Sequence, residues 1–149
     1  MVDVTTSIVI HARVATVASY MFDPDRAPEW YENIKSIAWE TPKPLTLNSK
    51  VAFVAHFLGK RLSYTYRVTE LSATSLVMQT TEGPFPMETT YLLEPLGPHT
   101  TRVTLGNRGN PAGFGKLMAP FMAMMMRRAN RHDLNRLKKK LESAEAGKS

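Results

Sequence analysis

The chain contains no cysteine. That excludes disulfides, thiolate metal ligands and thiol nucleophiles together, and it fits a cytoplasmic protein. Long apolar runs are missing too, and none approaches the roughly 18 residues of a membrane span. The first ten residues, MVDVTTSIVI, offer no basic n-region and no apolar core before a small-residue cleavage site, so no secretory signal is expected. The four histidines, His11, His56, His99 and His132, are scattered. None stands at ligand spacing from another histidine or a carboxylate on one helix or strand face, and no metal or organic cofactor is expected. A Ser-His-Asp arrangement cannot be argued. Acidic residues are the scarcer charge, 13 against 19 Lys and Arg, for a net charge of +6. Much of that excess lies in one C-terminal tract without interleaved aromatics, which fits a solvated helix face and not a nucleic-acid surface. Repeats, linkers and low-complexity tracts are absent. What is present is 149 residues of ordinary globular composition, 43% hydrophobic and 21% charged, enough for one domain. We expect that domain over residues 1–143, with Ala144 to Ser149 as a frayed tail.

The hydrophobic period changes along the chain. Residues 3–11 alternate, with Thr6, Ile8 and Ile10 on one side and Val9 and His11 on the other, which predicts a half-buried strand. Val14, Val17, Ala18, Met21 and Phe22 then fall at helical spacing. Asp23 and Pro24 stop that helix and open a second short one to Trp30, with Asp23 as N-cap. From residue 34 to 109 strand follows strand: 34–40, 51–58, 61–71, 76–81, 85–93 and 101–105. The connections are short, which implies an antiparallel meander. Trp30 and Trp39 read as anchors that pack helices and sheet edge together.

The last stretch, Asn110 to Ser143, reads as one long helix with Asn110 as N-cap, Pro111 at its first position and a bend near Lys116 to Pro120. It is on the order of 50 Å long. At about 100° per residue its methionines cannot all face one way. Met118, Met122, Met126, Leu137 and Leu141 form one drifting stripe, expected to face the sheet. Phe114, Leu117, Phe121 and Met124 form a second, and Arg127, Arg131 and Lys138 continue on about that side. A helix apolar on two faces needs two partners. The second stripe admits three: a homodimer contact, a membrane surface flanked by basic residues, or packing under the two short helices.

The predicted class is therefore α+β: a seven-stranded curved antiparallel sheet wrapped around a long C-terminal helix, with two short helices after the first strand. Such a sheet leaves volume beneath the helix, and an internal apolar cavity is the physical consequence.

This order, together with certain local strings, resembles the START-like superfamily of helix-grip proteins, and within it the bacterial polyketide cyclase/dehydrase-type branch. The strings are DPDRAPEWYENI (Asp23 to Ile34), GKRLSYTYRVTEL (Gly59 to Leu71), EGPFPMETTYLLEP (Glu82 to Pro95), TTRVTL (Thr100 to Leu105), LMAPFM (Leu117 to Met122) and RRANRHDLNRLKKKLE (Arg127 to Glu142). They cover nearly the whole chain. One departure is the turn from Pro44 to Ser49, which lacks the glycines that a phosphate cradle would need. The resemblance implies a helix-grip fold with a gated cavity. It leaves the activity open, because members include enzymes, carriers and receptors. The gate would lie at the end that carries the Gly59-Lys60 and Gly83-Pro84 turns and the Gly109-Asn110 junction.

Strand parity turns Tyr64 and Tyr66 inward with Leu62 and Val68, and Thr89 and Tyr91 inward with Met87 and Leu93. Tyrosine hydroxyls facing a cavity need partners, which are protein groups, water or ligand oxygens. The candidate ligand-binding set is Tyr64, Tyr66, Met78, Met87, Thr89, Tyr91, Met118, Met122 and Met126. His56 sits on a strand apolar on both faces, so its side is open. Facing inward, it would be the natural general acid/base, with Tyr66 as the other catalytic candidate. Arg61, at a strand start, is a candidate partner for a ligand carboxylate. Three functions follow. One is a carrier or sensor of a hydrophobic, partly oxygenated small molecule (a lipid, polyketide or isoprenoid). Another is a cyclase/dehydrase-type enzyme acting in the same cavity. The third is an interaction protein using the outer helix face.

Overall fold

The computed structural model describes residues 2–57, 59–110 and 119–146. Strand β1 (Val2–Ile10) leads into helix α1 (Val14–Met21), a 3-10 turn (Pro24–Arg26) and the one-turn helix α2 (Ala27–Trp30). Six strands follow: β2 (Ile34–Trp39), β3 (Lys50–Phe57), β4 (Lys60–Leu71), β5 (Ser75–Glu82), β6 (Met87–Gly97) and β7 (Thr100–Gly109). Helix α3 (Ala119–Ala146) ends the described chain. All pairings are antiparallel, in the order β1-β7-β6-β5-β4-β3-β2. The first strand thus lies beside the last, and β2 is carried to the opposite edge by the two short helices. Register shifts in the β2–β3, β4–β5 and β6–β7 pairs add local twist and bend the sheet.

Local chemistry accounts for the entry into α2. Asp23 caps the 3-10 turn that leads into it by accepting the Asp25 N–H at 3.0 Å, and Pro24 follows at the first position of that turn, where no N–H is missed. Gly59 supplies the left-handed backbone (φ 76°) of the two-residue turn between β3 and β4. At the same end, the Asn110 N–H reaches the Pro86 carbonyl at 3.2 Å, which ties the end of β7 to the β5–β6 turn.

Several element bounds differ from the sequence expectation; β7 runs to Gly109, four residues beyond the expected 105. Strand β6 starts at Met87, not Phe85, and runs through Pro95, whose place is a register shift that spares it a ladder hydrogen bond. Helix α3 runs to Ala146, three residues beyond the expected end. The Pro111 start of the helix and the bend at Lys116 fall among residues 111–118, outside the described residues. Pro120 stands at the second position of the described helix.

The concave face of the sheet and the inner face of α3 share one core. Ile10, Val17, Trp30, Val51, Val68, Leu76, Leu105, Leu134 and Leu137 are almost fully buried there. Trp30 meets Tyr91 of β6 edge-on with ring centroids 5.9 Å apart, so it packs α2 onto the sheet as expected. Trp39 is half-buried and donates from Nε1 to Asp25 Oδ1 at 3.0 Å. A smaller cluster of Val2, Val4 and Met122 joins the start of β1 to the start of α3. Polar contacts fix the rest of the helix. Lys138 Nζ donates to the Val9 carbonyl at 2.7 Å, Arg136 Nη2 to the Glu29 carbonyl at 3.0 Å, and the Glu32 N–H to Asp133 Oδ1 at 3.0 Å. Helix α3 is thus held along its length against β1 and α2. Between these attachments the sheet curves away from it.

Candidate functional site

The space left by that curvature is a cavity of about 120 Å³ between α3 and the concave faces of β3 to β7. It is close in size to engineered cavities of about 150 Å³ that admit one benzene. Its apolar wall comes from strand alternation and the helix stripe. Phe53 and Ala55 of β3, Leu62 of β4 and Met78 of β5 point in, and Met122 and Met126 close it from α3. Phe85, in the β5–β6 turn, reaches in from the expected mouth.

Most of the polar groups fall into three sets, with Tyr64 and Asn33 lining the cavity outside them. In the first, the Tyr66 hydroxyl lies 3.0 Å from Thr89 Oγ1, and Thr89 donates to Asn107 Oδ1 at 2.9 Å. Met87 Sδ, 3.3 Å from the Tyr66 oxygen, is a further acceptor. In the second, the Tyr31 and Tyr91 hydroxyls are 2.7 Å apart. One proton makes that bond and the other remains free to donate. Burial is the main cause that pushes both phenols above their ordinary value. Burial likewise raises Tyr66, and it raises Tyr64 to about 12. All four tyrosines are therefore neutral donors at physiological pH. The third set lies on α3. Asn130 and Asp133 are three residues apart, share one helix face, and are only 5% and 2% exposed. Both line the cavity. The Asn130 amide nitrogen is buried without a partner among the described residues. The Asp133 carboxyl accepts the Glu32 N–H and is pushed up to about 6, chiefly by burial.

The structure brings eight of the nine expected lining residues around this cavity: Tyr64, Tyr66, Met78, Met87, Thr89, Tyr91, Met122 and Met126. The ninth, Met118, lies outside the described residues. His56 is corrected. Its neighbours Val51, Phe53 and Ala55 face the core, so His56 faces outward and is exposed. It pairs across the hairpin with Arg61, which is exposed on the same convex face. Neither reaches the cavity, and the catalytic part for His56 falls with that placement. Tyr66 keeps its position but is engaged by Thr89. Five polar lining residues escaped the sequence reading: Tyr31, Asn33, Asn107, Asn130 and Asp133. For two of them a signal existed. The stripe from Met122 and Met126 to Leu137 and Leu141 passes through Asn130 and Asp133. A polar pair on an apolar stripe is the mark of a lined cavity.

Of the outer stripe, Phe114 and Leu117 lie outside the described residues. Phe121 and Met124 are 42% and 54% exposed, so the two short helices do not cover them. Among the described residues no helix is long and apolar enough to cross a membrane, and no three His, Asp or Glu side chains gather where a metal ion could be held.

Comparison with solved structures places the fold among START-like proteins. A protein from Thermus thermophilus superposes with a TM-score of 0.81 at 19% identity, over 95% of this chain and 98% of its own. A START superfamily protein from Mycobacterium smegmatis gives 0.80 at 16% identity, with the same coverage of both chains. The Zhui aromatase/cyclase from a Streptomyces species gives 0.75 at 17% identity, over 94% of this chain and 93% of that one. No curated protein matches the sequence. At these identities the neighbours establish the helix-grip fold and leave the chemistry to the site. The sequence itself matches, over residues 1–142, the family described as polyketide cyclase / dehydrase and lipid transport, and the chain belongs to that family.

Proposed function

We propose that the domain binds a hydrophobic, partly oxygenated small molecule in the cavity beneath α3, as a carrier or sensor. One observation carries this reading: an apolar cavity inside the core into which several tyrosine hydroxyls, an unpartnered amide and a carboxyl converge. Apolar walls supply affinity by burial, and sparse polar groups supply orientation. A volume near that of one aromatic ring means that the enclosed part holds a ring or a short segment, with any longer remainder passing the mouth. Family membership agrees, since its description joins polyketide chemistry with lipid transport. The test is native mass spectrometry of the protein as purified, followed by titration with one-ring apolar probes. A co-purified small molecule, or saturable probe binding with resonance shifts at Tyr91 and Met126, supports the reading. An empty protein that no such probe perturbs would sink it.

A cyclase/dehydrase-type enzyme is the second reading, and Asp133 favours it. A carboxyl titrating at about 6 within a ligand cavity can give and take a proton near neutrality. Conversion of a poly-β-ketone chain by the wild type and not by Asp133→Asn, with binding retained, would establish it. Binding without conversion leaves the carrier.

A further inference from the structure

Most polar groups around the cavity already have partners. Tyr66, Thr89 and the Asn107 side-chain carbonyl are joined in one chain of hydrogen bonds. Apart from the Tyr64 hydroxyl and the Asn33 side chain, the groups with unspent capacity are three. Asp133 accepts the Glu32 N–H through Oδ1, which leaves Oδ2 as its second acceptor. The Asn130 amide nitrogen has no partner among the described residues. The Tyr31–Tyr91 pair retains one donor proton. These groups are neighbours. Asn130 and Asp133 share a helix face, and the Asp133 charge is felt by both tyrosines. They lie past the methionine end of the cavity, since Asp133 is eleven residues beyond Met122, roughly 16 Å along the axis. No Lys, Arg or His is among the described residues lining the cavity, and Arg136 beside Asp133 is turned to the Glu29 carbonyl.

This donor and acceptor set selects one kind of ligand group. A carboxylate or phosphate would meet a carboxyl with no cation in the described cavity wall to offset it. A bare hydrocarbon would leave the Asn130 N–H and the Asp133 oxygen unpaired. A carbonyl accepts from Asn130 and a tyrosine but gives nothing to Asp133. A hydroxyl does both: its proton goes to Asp133 Oδ2, and its oxygen accepts from Asn130 or the tyrosine pair. Resting on the ligand-binding reading above, we propose that Asn130, Asp133 and the Tyr31–Tyr91 pair form a subsite for a neutral hydroxyl, as in a phenol, an enol or an alcohol, on an otherwise apolar ligand. The subsite makes the domain selective for hydroxylated over acidic ligands.

The probes are four molecules of one size: p-cresol, toluene, 4-methylbenzoate and 4-methylbenzylamine. Each is titrated into the full-length protein at neutral pH and followed by NMR. The expected order puts p-cresol about tenfold tighter than toluene, as one well-made buried hydrogen bond would give, with 4-methylbenzoate weakest. Asn130→Leu and Asp133→Asn should each bring the p-cresol to toluene ratio towards one while toluene binding stays within about threefold, so that loss of fold is not mistaken for loss of the subsite. Equal binding of p-cresol and toluene to the wild type overturns the subsite but leaves the cavity as a binding site. Tightest binding of 4-methylbenzylamine overturns it too, since a cation needs only the carboxylate. If none of the four binds, the ligand-binding reading falls together with the subsite.

Discussion

The Asp133 carboxyl gives the sharpest test of the buried site, because its sign is opposite to that of most carboxylates. A carboxyl that gains a cation on folding has its pKa lowered, and its stabilisation is lost as pH falls. Asp133 goes the other way. Burial against α2 and the cavity wall raises it from 3.8 to about 6, despite the Glu32 N–H and the nearby His132 and Arg136 that favour its charge. The fold therefore binds this proton more tightly than the unfolded chain does. Its contribution to stability is complete below about pH 3.8 and is lost as pH rises through about 6. At about 1.4 kcal/mol per pH unit, the ionised form costs the fold about 3 kcal/mol, of which about 2 kcal/mol appears between pH 4.5 and 7.5. Asp133→Asn keeps the shape and keeps an oxygen for the Glu32 N–H, but it cannot ionise. Urea unfolding of both proteins across that range isolates the effect. Groups such as Asp25, which Lys43 and Trp39 hold below the usual carboxylate range, are common to both and cancel in the difference. The variant should gain about 2 kcal/mol on the wild type from pH 4.5 to 7.5. A difference that does not change with pH, or one that moves towards the wild type, would refute a buried Asp133.

Other perturbations probe the rest of the site. Asn130→Leu removes a buried amide nitrogen without a partner and should raise the unfolding free energy by about 1 kcal/mol, read by urea denaturation. Tyr66→Phe breaks the bond to Thr89 while the Thr89–Asn107 bond survives, for a loss of about 1 kcal/mol by the same assay. Gly83→Ala places a Cβ 2.9 Å from the Tyr64 Cβ at a positive φ, and calorimetry should show a loss of more than about 1 kcal/mol. Replacing both Phe121 and Met124 by Ser should leave stability within about 0.5 kcal/mol, because both are exposed. Sedimentation of the same variant shows whether this face holds two copies together, since a dimer of the wild type would then dissociate.

Strand alternation carried most of the site. In β4 and β6 each side chain has only two directions, so Tyr64, Tyr66, Thr89 and Tyr91 could be turned inward from their apolar neighbours alone. His56 was undecidable from its own strand, where Ala52 and Val54 on the outer face are as apolar as the inner residues. The hairpin decides it. A two-residue turn pairs residues whose numbers sum to an odd value, so His56 must oppose an odd-numbered residue of β4, and those face outward. The information was present in the chain, but in the turn and not in the strand.

The helix failed for a different reason. Between Met126 and Leu137 its sequence is rich in Arg and Asn, and a charged tract reads as solvated because burying an ion is costly. That inference holds for Arg127, Arg128 and Arg131, which are exposed. It fails for Asp133, where the cost is met by moving the pKa instead of expelling the side chain. An acid can be buried as its neutral form at a modest cost near pH 6. An arginine cannot, since it does not give up its proton. A lone acid or amide continuing an apolar stripe within a basic helix therefore points to a cavity, and a lone arginine there would not. Applied to α3, this asymmetry selects Asn130 and Asp133 and passes over every basic residue between Met126 and Leu137, which is where the cavity wall lies.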